Sequence, residues 1–317
     1  MIVPFAAAAA VFHLASPNIF DPDSFYYIRL AWIYRTRGLL DVEFPWMPYS
    51  VIKDLSSSLW YGFALFLVPF TYFDDLVVGI KATGVLLTAG ALWIYYLVVR
   101  RSRLRMAPLW PFLLFFSTPN VLTQFLMVRP QLYVIPSHHV PGSNIFQRAA
   151  TGIIVGVFLF VAFDSSQKTV ASFSHSALPP DRLRSAGLWL REHSQPGDVV
   201  FNLRWAHFSS LFFWNQQNYY VAGLDPIFQY AYDPRLYWKF HHLAANESIQ
   251  STCGAPVCAR EELEGTYEVL VNDFKAKYVV VGQQSHPALY HFFEGDPRFQ
   301  KTLETPRGEA VYRIEHR

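Results

Sequence analysis

The sequence predicts a helical membrane domain of about four to five spans, followed by an extramembrane α/β domain with a small mixed sheet. Three observations carry that expectation. Of 317 residues, 52% are hydrophobic and only 16% are charged, against about 25% charged in an ordinary soluble chain. The apolar residues gather before Asp164, whereas the chain after Pro179 has the mixed composition of a soluble domain. Residues 181–317 alternate between helical spacing and β-branched runs. The division expected is residues 1–164 as a transmembrane domain with an acidic first loop at 18–57, a Ser-rich linker at 165–180, and the α/β domain at 181–317.

Each apolar segment has its own signature. Residues 2–15, "IVPFAAAAAVFHLA", are shorter than the roughly 20 residues of a straight span and lack the leading basic residues of a signal peptide, so they read as an anchor. The run 58–73 contains Pro69 and either spans or re-enters. The clearest span is 76–98, with Lys81 near one end, and it stops at the basic cluster Arg100–Arg105, which the positive-inside rule places in the cytoplasm. Segment 108–128 carries Pro111 and Pro119 and ends at Arg129-Pro130, and 149–163 closes at Asp164. Lys81 alone is ionisable inside a clear span, which disfavours a transporter.

In the second half, "DRLRSAGLWLREHS" (181–194) has helical spacing, and "QPGD" turns into the strand "VVFN" (199–202). A helix near 205–213, a strand at 219–223, a helix near 233–245, the strand "KYVVVG" (277–282) and a helix near 286–293 come after it. The chain ends in a hairpin joined through Pro306-Arg307-Gly308. Cys253 and Cys258 flank a Gly/Pro turn that permits a small disulfide in an oxidising compartment or leaves two free thiols. A net charge of +2 without a long basic run argues against a nucleic-acid partner.

The stretch "NIFDPDSFYYIRLAWIYRTRG" (18–38) has two readings. As a helix start, Asp21 is the N-cap, Pro22 the first helical position and Asp23 the first turn, with Arg35 and Arg37 in the last turn and Gly38 beyond. As a site, two carboxylates at a membrane boundary precede a wide apolar face suited to the interface. One or two carboxylates with a substrate phosphate form a usual magnesium ligand set.

"FDPDSFYYIRLA", placed after a first apolar segment, resembles the first-loop acidic motif of GT-C membrane glycosyltransferases, and is similar to the corresponding loop of oligosaccharyltransferase catalytic subunits. The resemblance implies a polyprenyl-phosphate-linked sugar as donor, drawn from the lipid bilayer of a bacterial inner membrane. It makes Asp21 and Asp23 metal ligands (Mg or Mn) or the general base, and puts Arg29 near the lipid phosphate. "FLMVRPQ" resembles the Arg-Pro segment of many bacterial members, which makes Arg129 a second phosphate ligand. The region from "LRSAGLWLREHSQPGDVVFN" to "FKAKYVVVG" looks like the soluble C-terminal domain of related cell-envelope proteins, on the exoplasmic side. The Trp-Trp-Asp-Tyr-Gly signature of oligosaccharyltransferases is absent, which disfavours transfer of a preassembled glycan to asparagine. Members of the family have more spans, so the chain looks like a shortened one.

Other candidates have plainer readings beside the functional ones. Asp225 in "GLDP" either caps the segment after a tight turn or faces a site at a strand's carboxyl end. Trp205, Trp214 and Tyr219 either stack on sugar, Trp205 foremost, or belong to the core. The pairs His138-His139 and His241-His242 point apart on a helix and have no partner at metal spacing. The function expected is inverting transfer of a sugar from polyprenyl phosphate. The alternative is a non-catalytic membrane protein whose α/β domain binds a partner or glycan.

Overall fold

The computed structural model describes residues 2–40, 43–54, 60–103, 106–117, 119–127, 178–245 and 249–315. They fall into two compact units, one drawn from Met1–Ile28 and Phe66–Pro180, the other from Arg29–Leu65 and Asp181–Arg317.

The first unit is helical: α1 (Ile2–Leu14), the opening of α2 (Asp23–Arg37), the end of α3 (Tyr61–Leu67) with a 3-10 turn at Val68–Tyr72, α4 (Leu76–Arg101), α5 (Leu109–Phe115) and α6 (Pro119–Leu126). Among the described residues only α4 is long and apolar enough to cross a membrane, with 26 residues and a mean hydropathy of 1.8. At 1.5 Å per residue it reaches roughly 39 Å, against a hydrocarbon core of about 30 Å. This corrects the expectation of about four to five spans. Prolines cut the other runs: Pro69 falls in the 3-10 turn, and Pro119 opens α6 so that 108–128 becomes two helices of 7 and 8 residues. Segment 149–163 lies outside the described residues.

The interfacial reading of α2 is corrected too. Phe25, Tyr26, Tyr27 and Ile28 are all buried although they point in successive directions around the helix, so the opening of α2 in this unit is enclosed on every side. Small residues let α1 approach α4: Ala9 and Ala89 are buried, and Gly84 lies against the His13 imidazole. Phe5, Leu92, Tyr96, Phe115, Leu122 and Phe125 fill the core.

The second unit is α/β. Its sheet runs β2-β1-β5-β7-β6, with β1 (Val199–Asn202) parallel to β2 (Tyr219–Tyr220) and to β5 (Ala276–Gly282). The hairpin β6 (Phe299–Glu304) and β7 (Glu309–Ile314) adds antiparallel, Val280 opposing Val311. Every residue of β1 is buried, as expected of a parallel strand covered on both faces. The covering helices are α7 (Arg184–His193), α8 (Trp205–Trp214), α9 (Pro226–Tyr232), α10 (Pro234–Ala244), the short α11 (Thr266–Glu268) running into a π turn, and α12 (Pro287–Gly295). A two-stranded ribbon pairs β3 (Ser251–Thr252) with β4 (Glu264–Gly265), and a Cys253–Cys258 disulfide lies just after β3.

Residues 43–54 are part of this unit. The Trp46 indole donates to the Gln216 carbonyl at 2.7 Å, and the Trp46 carbonyl accepts from the Tyr220 amide at 2.8 Å. The strand expected at 219–223 is paired only over Tyr219–Tyr220, because Gly223 and Leu224 turn away. A Cβ on Gly223 would lie 2.5 Å from Phe208 Cγ and 2.7 Å from Met47 Sδ, and Leu224 is left-handed at φ +58°.

Candidate functional site

The acidic stretch sits where α1 hands over to α2. Ser16–Phe20 links them, pinned by an antiparallel bridge between Ile19 and Leu178 at 2.9 and 2.8 Å. Asp21 is only 1% exposed, and one of its oxygens accepts from the Asp23 amide at 3.4 Å. Other capping aspartates are shorter and wetter. Asp75 bonds the Val77 amide at 2.8 Å and Asp225 the Ile227 amide at 3.0 Å, both exposed, while the half-buried Asp233 bonds the Arg235 amide at 2.8 Å. A cap that long is below the usual bond, and burying a carboxylate is costly. Asp23 is half-buried and Ser24 is buried.

Beside this stretch is a small cavity of about 20 Å³, lined by His13, Ser16, Asn18, Ser24 and Lys81 together with apolar neighbours. That is room for about one water. The Lys81 ammonium donates to the carbonyls of His13, at 3.1 Å, and Ser16, so it satisfies orphan acceptors at the end of α1. An ammonium has three protons, and the third has no protein partner among the described residues. His13 is fixed in turn: the Thr88 hydroxyl donates to the Phe125 carbonyl at 2.6 Å, so it accepts from His13 Nε2 at 3.1 Å. Lys81 is the candidate that sequence reasoning missed. A lysine in an otherwise apolar span was the available signal.

Arg29 belongs to the α/β-containing unit, its guanidinium 5.0 Å from the Trp32 ring centre and 4.8 Å from that of Phe213. Burial, with Arg191 nearby, pulls its pKa down to about 10. Arg129 lies outside the described residues, as do His138 and His139. Trp205 packs on Phe240, with ring centres 4.9 Å apart, and Asp225 caps α9. His242 Nε2 lies 2.8 Å from the Ala255 carbonyl oxygen; since a carbonyl only accepts, that nitrogen carries the proton. Among the described residues, His242, Cys253 and Cys258 are the one trio with metal-ligating atoms close together. The disulfide uses both thiols, leaving no thiolate for a cation.

No known protein family, curated protein or solved structure matches the chain.

Proposed function

We propose that the chain is an inverting glycosyltransferase that moves a sugar from a polyprenyl-phosphate donor to an acceptor hydroxyl, with Asp21 and Asp23 as its carboxylate centre. The observation that carries this reading is the placement of the Asp21 carboxylate, 1% exposed, at the handover from α1 to α2 beside the cavity that Ser24 and Lys81 line. The likeness of "FDPDSFYYIRLA" to GT-C first loops supports it. So does the spare proton of Lys81 in a cavity that Ser24 also lines.

In this reading a carboxylate of the pair takes the acceptor's proton as the acceptor oxygen bonds the anomeric carbon. The bond from that carbon to the phosphate oxygen breaks, and polyprenyl phosphate leaves with the electron pair. One displacement inverts the centre. Lys81 steadies the leaving phosphate as a point charge. The cavity does not admit a sugar ring, so the sugar lies outside it and a phosphate oxygen reaches Lys81. Asp21, Asp23 and Ser24 offer only oxygen donors, a set that fits Mg²⁺ or Mn²⁺ with phosphate oxygens completing it. Such a cation would neutralise charge on the departing phosphate.

Helix α4 would anchor the chain in a bacterial inner membrane, with Arg100 and Arg101 cytoplasmic. The disulfide suits an oxidising compartment for the α/β domain. The test uses membranes holding equal amounts of parent, Asp21→Asn and Asp23→Asn chains, supplied with a panel of radiolabelled polyprenyl-phosphate hexoses. Transfer should fall at least about 100-fold in one of the variants, as expected for loss of a general base. Undiminished transfer in both would overturn the assignment.

A further inference from the structure

A different part of the molecule carries its own ligand chemistry. In the α/β unit, β1 has a parallel neighbour on each side. The chain leaves β1 through α8 to β2 on one side and returns later to β5 on the other. The carboxyl ends of β1 and β5 therefore flank a switch point, the place where open α/β sheets form ligand crevices. At the end of β1, the Asn202 side chain clips the turn: its amide donates to the Ala222 carbonyl at 2.6 Å, and its carbonyl accepts from the Ala222 amide at 3.2 Å. The chain then enters α8, a ten-residue helix whose N-cap, Arg204, makes no side-chain cap. Free amides and the positive end of the helix dipole remain there.

Basic side chains gather at the same place. Arg182, Arg204 and His286 all lie within electrostatic reach of His207, in the first turn of α8. Neither arginine forms an ion pair or a side-chain hydrogen bond among the described residues. Arg182 has Glu309 near it, but Arg204 also lies close and opposes its charge. The second independent observation is His207 itself. It is 4% exposed, yet its Nδ1 is buried with no partner, a cost of about 1–3 kcal/mol for a polar group left unsatisfied. Both nitrogens of His286, by contrast, are used: Nε2 bonds the Ala244 carbonyl at 3.0 Å and Nδ1 the Ser285 hydroxyl at 2.9 Å. Burial, with Arg182 and Arg204 nearby, pushes the pKa of His207 well below the ordinary value.

We propose that the carboxyl ends of β1 and β5 form a binding site for a tetrahedral phosphate group, held by Arg182, Arg204, His207 and the open N-terminus of α8. The phosphate would complete the α8 amides, lie between the two arginines and give the His207 imidazole the partner it lacks. This site is independent of Asp21 and of glycosyl transfer.

The test is isothermal titration of the full chain in uncharged detergent micelles with inorganic phosphate, beside nanodiscs containing phosphatidic acid as the lipid-borne form. Saturable binding with Kd at or below about 1 mM, weakened at least tenfold by Arg204→Gln, supports the site. The arm that saturates tells whether the phosphate is free or carried by a lipid. Because Arg204 is exposed, its replacement leaves the core intact, and an unchanged thermal midpoint verifies this. His207→Phe should weaken the same arm by at least threefold if the chain folds. No saturation in either arm, or equal affinity in parent and Arg204→Gln, overturns the proposal.

Discussion

The two units hold their enclosed lysines by different means. In the helical unit, Lys81 and Thr88 turn to backbone carbonyls, those of His13, Ser16 and Phe125. In the α/β unit, the buried Lys239 turns to carboxylates, Glu264 at 2.6 Å and Asp273 at 2.7 Å. Carbonyls at a helix end are always available without water, whereas ion pairs need partners that are themselves partly wet. The contrast matches a unit built around one membrane-length helix beside a unit built like a soluble domain.

Gly223 and Gly84, one in each unit, meet different neighbours and give the larger effects among these tests. Gly223→Ala should cost about 3 kcal/mol, read as a lower thermal midpoint, because its Cβ would strike the buried Phe208 and Met47. Gly84→Ala meets only the His13 ring, which can swing at the expense of its Thr88 bond, so about 1–2 kcal/mol is expected. The double variant Gly84→Ala/His13→Ala should recover part of it. Equal costs for the two glycines would erase the distinction.

The disulfide comes next. Cys253→Ser/Cys258→Ser should lower stability by about 2 kcal/mol, as expected for closing a loop this short. Only the transition of the α/β unit should move.

The lysines sharpen the contrast further. Lys239→Met leaves two carboxylates that are 44% and 27% exposed, so solvent screening limits the cost to about 1–2 kcal/mol. Lys81→Met strands two carbonyls at a similar cost. Added salt at about 1 M should shrink the Lys239 effect and leave the Lys81 effect in place. The smallest effect concerns pH. Burial opposes the charge of Lys239, but its bonds to Asp273 and Glu264 prevail and hold its pKa above 10.5. A raised lysine pKa stabilises the fold at and below the unfolded value, and that contribution is lost as pH climbs through the folded one. The parent should therefore lose stability above pH 10.5 more steeply than Lys239→Met in a thermal-shift series.

Particular residues show how far the sequence could be read. "VVFN" and "KYVVVG" are β1 and β5 because their β-branched side chains are buried on both faces. The turn Pro306-Arg307-Gly308 joins β6 to β7, with Gly308 at φ +75°. Helix α9 is hard to see in the sequence although Asp225-Pro226 is a cap followed by proline at the first position; a tight turn and a helix start share that pair. The span count failed because hydropathy sums residues without registering where Pro69 and Pro119 break the ladder. Around the acidic stretch, the capping role of Asp21 was legible, but its burial and the carbonyls that hold Lys81 depend on α1, α4 and residue 178 meeting in space. The proposed phosphate site at His207 draws on Arg182, which precedes α7 and β1, and on Arg204, which follows β1, a meeting that no local pattern reports.

The central claim is that a polyprenyl-phosphate headgroup docks beside Asp21. A donor analogue carrying a photoreactive sugar, irradiated with the full chain in membranes and mapped by mass spectrometry, tests it most directly. Labels on the peptide containing Ser16–Ser24 or on that containing Lys81, displaced by excess unlabelled donor and reduced in Asp21→Asn, are the predicted result. Labels confined to other peptides, or undiminished by competitor and by Asp21→Asn, would contradict it.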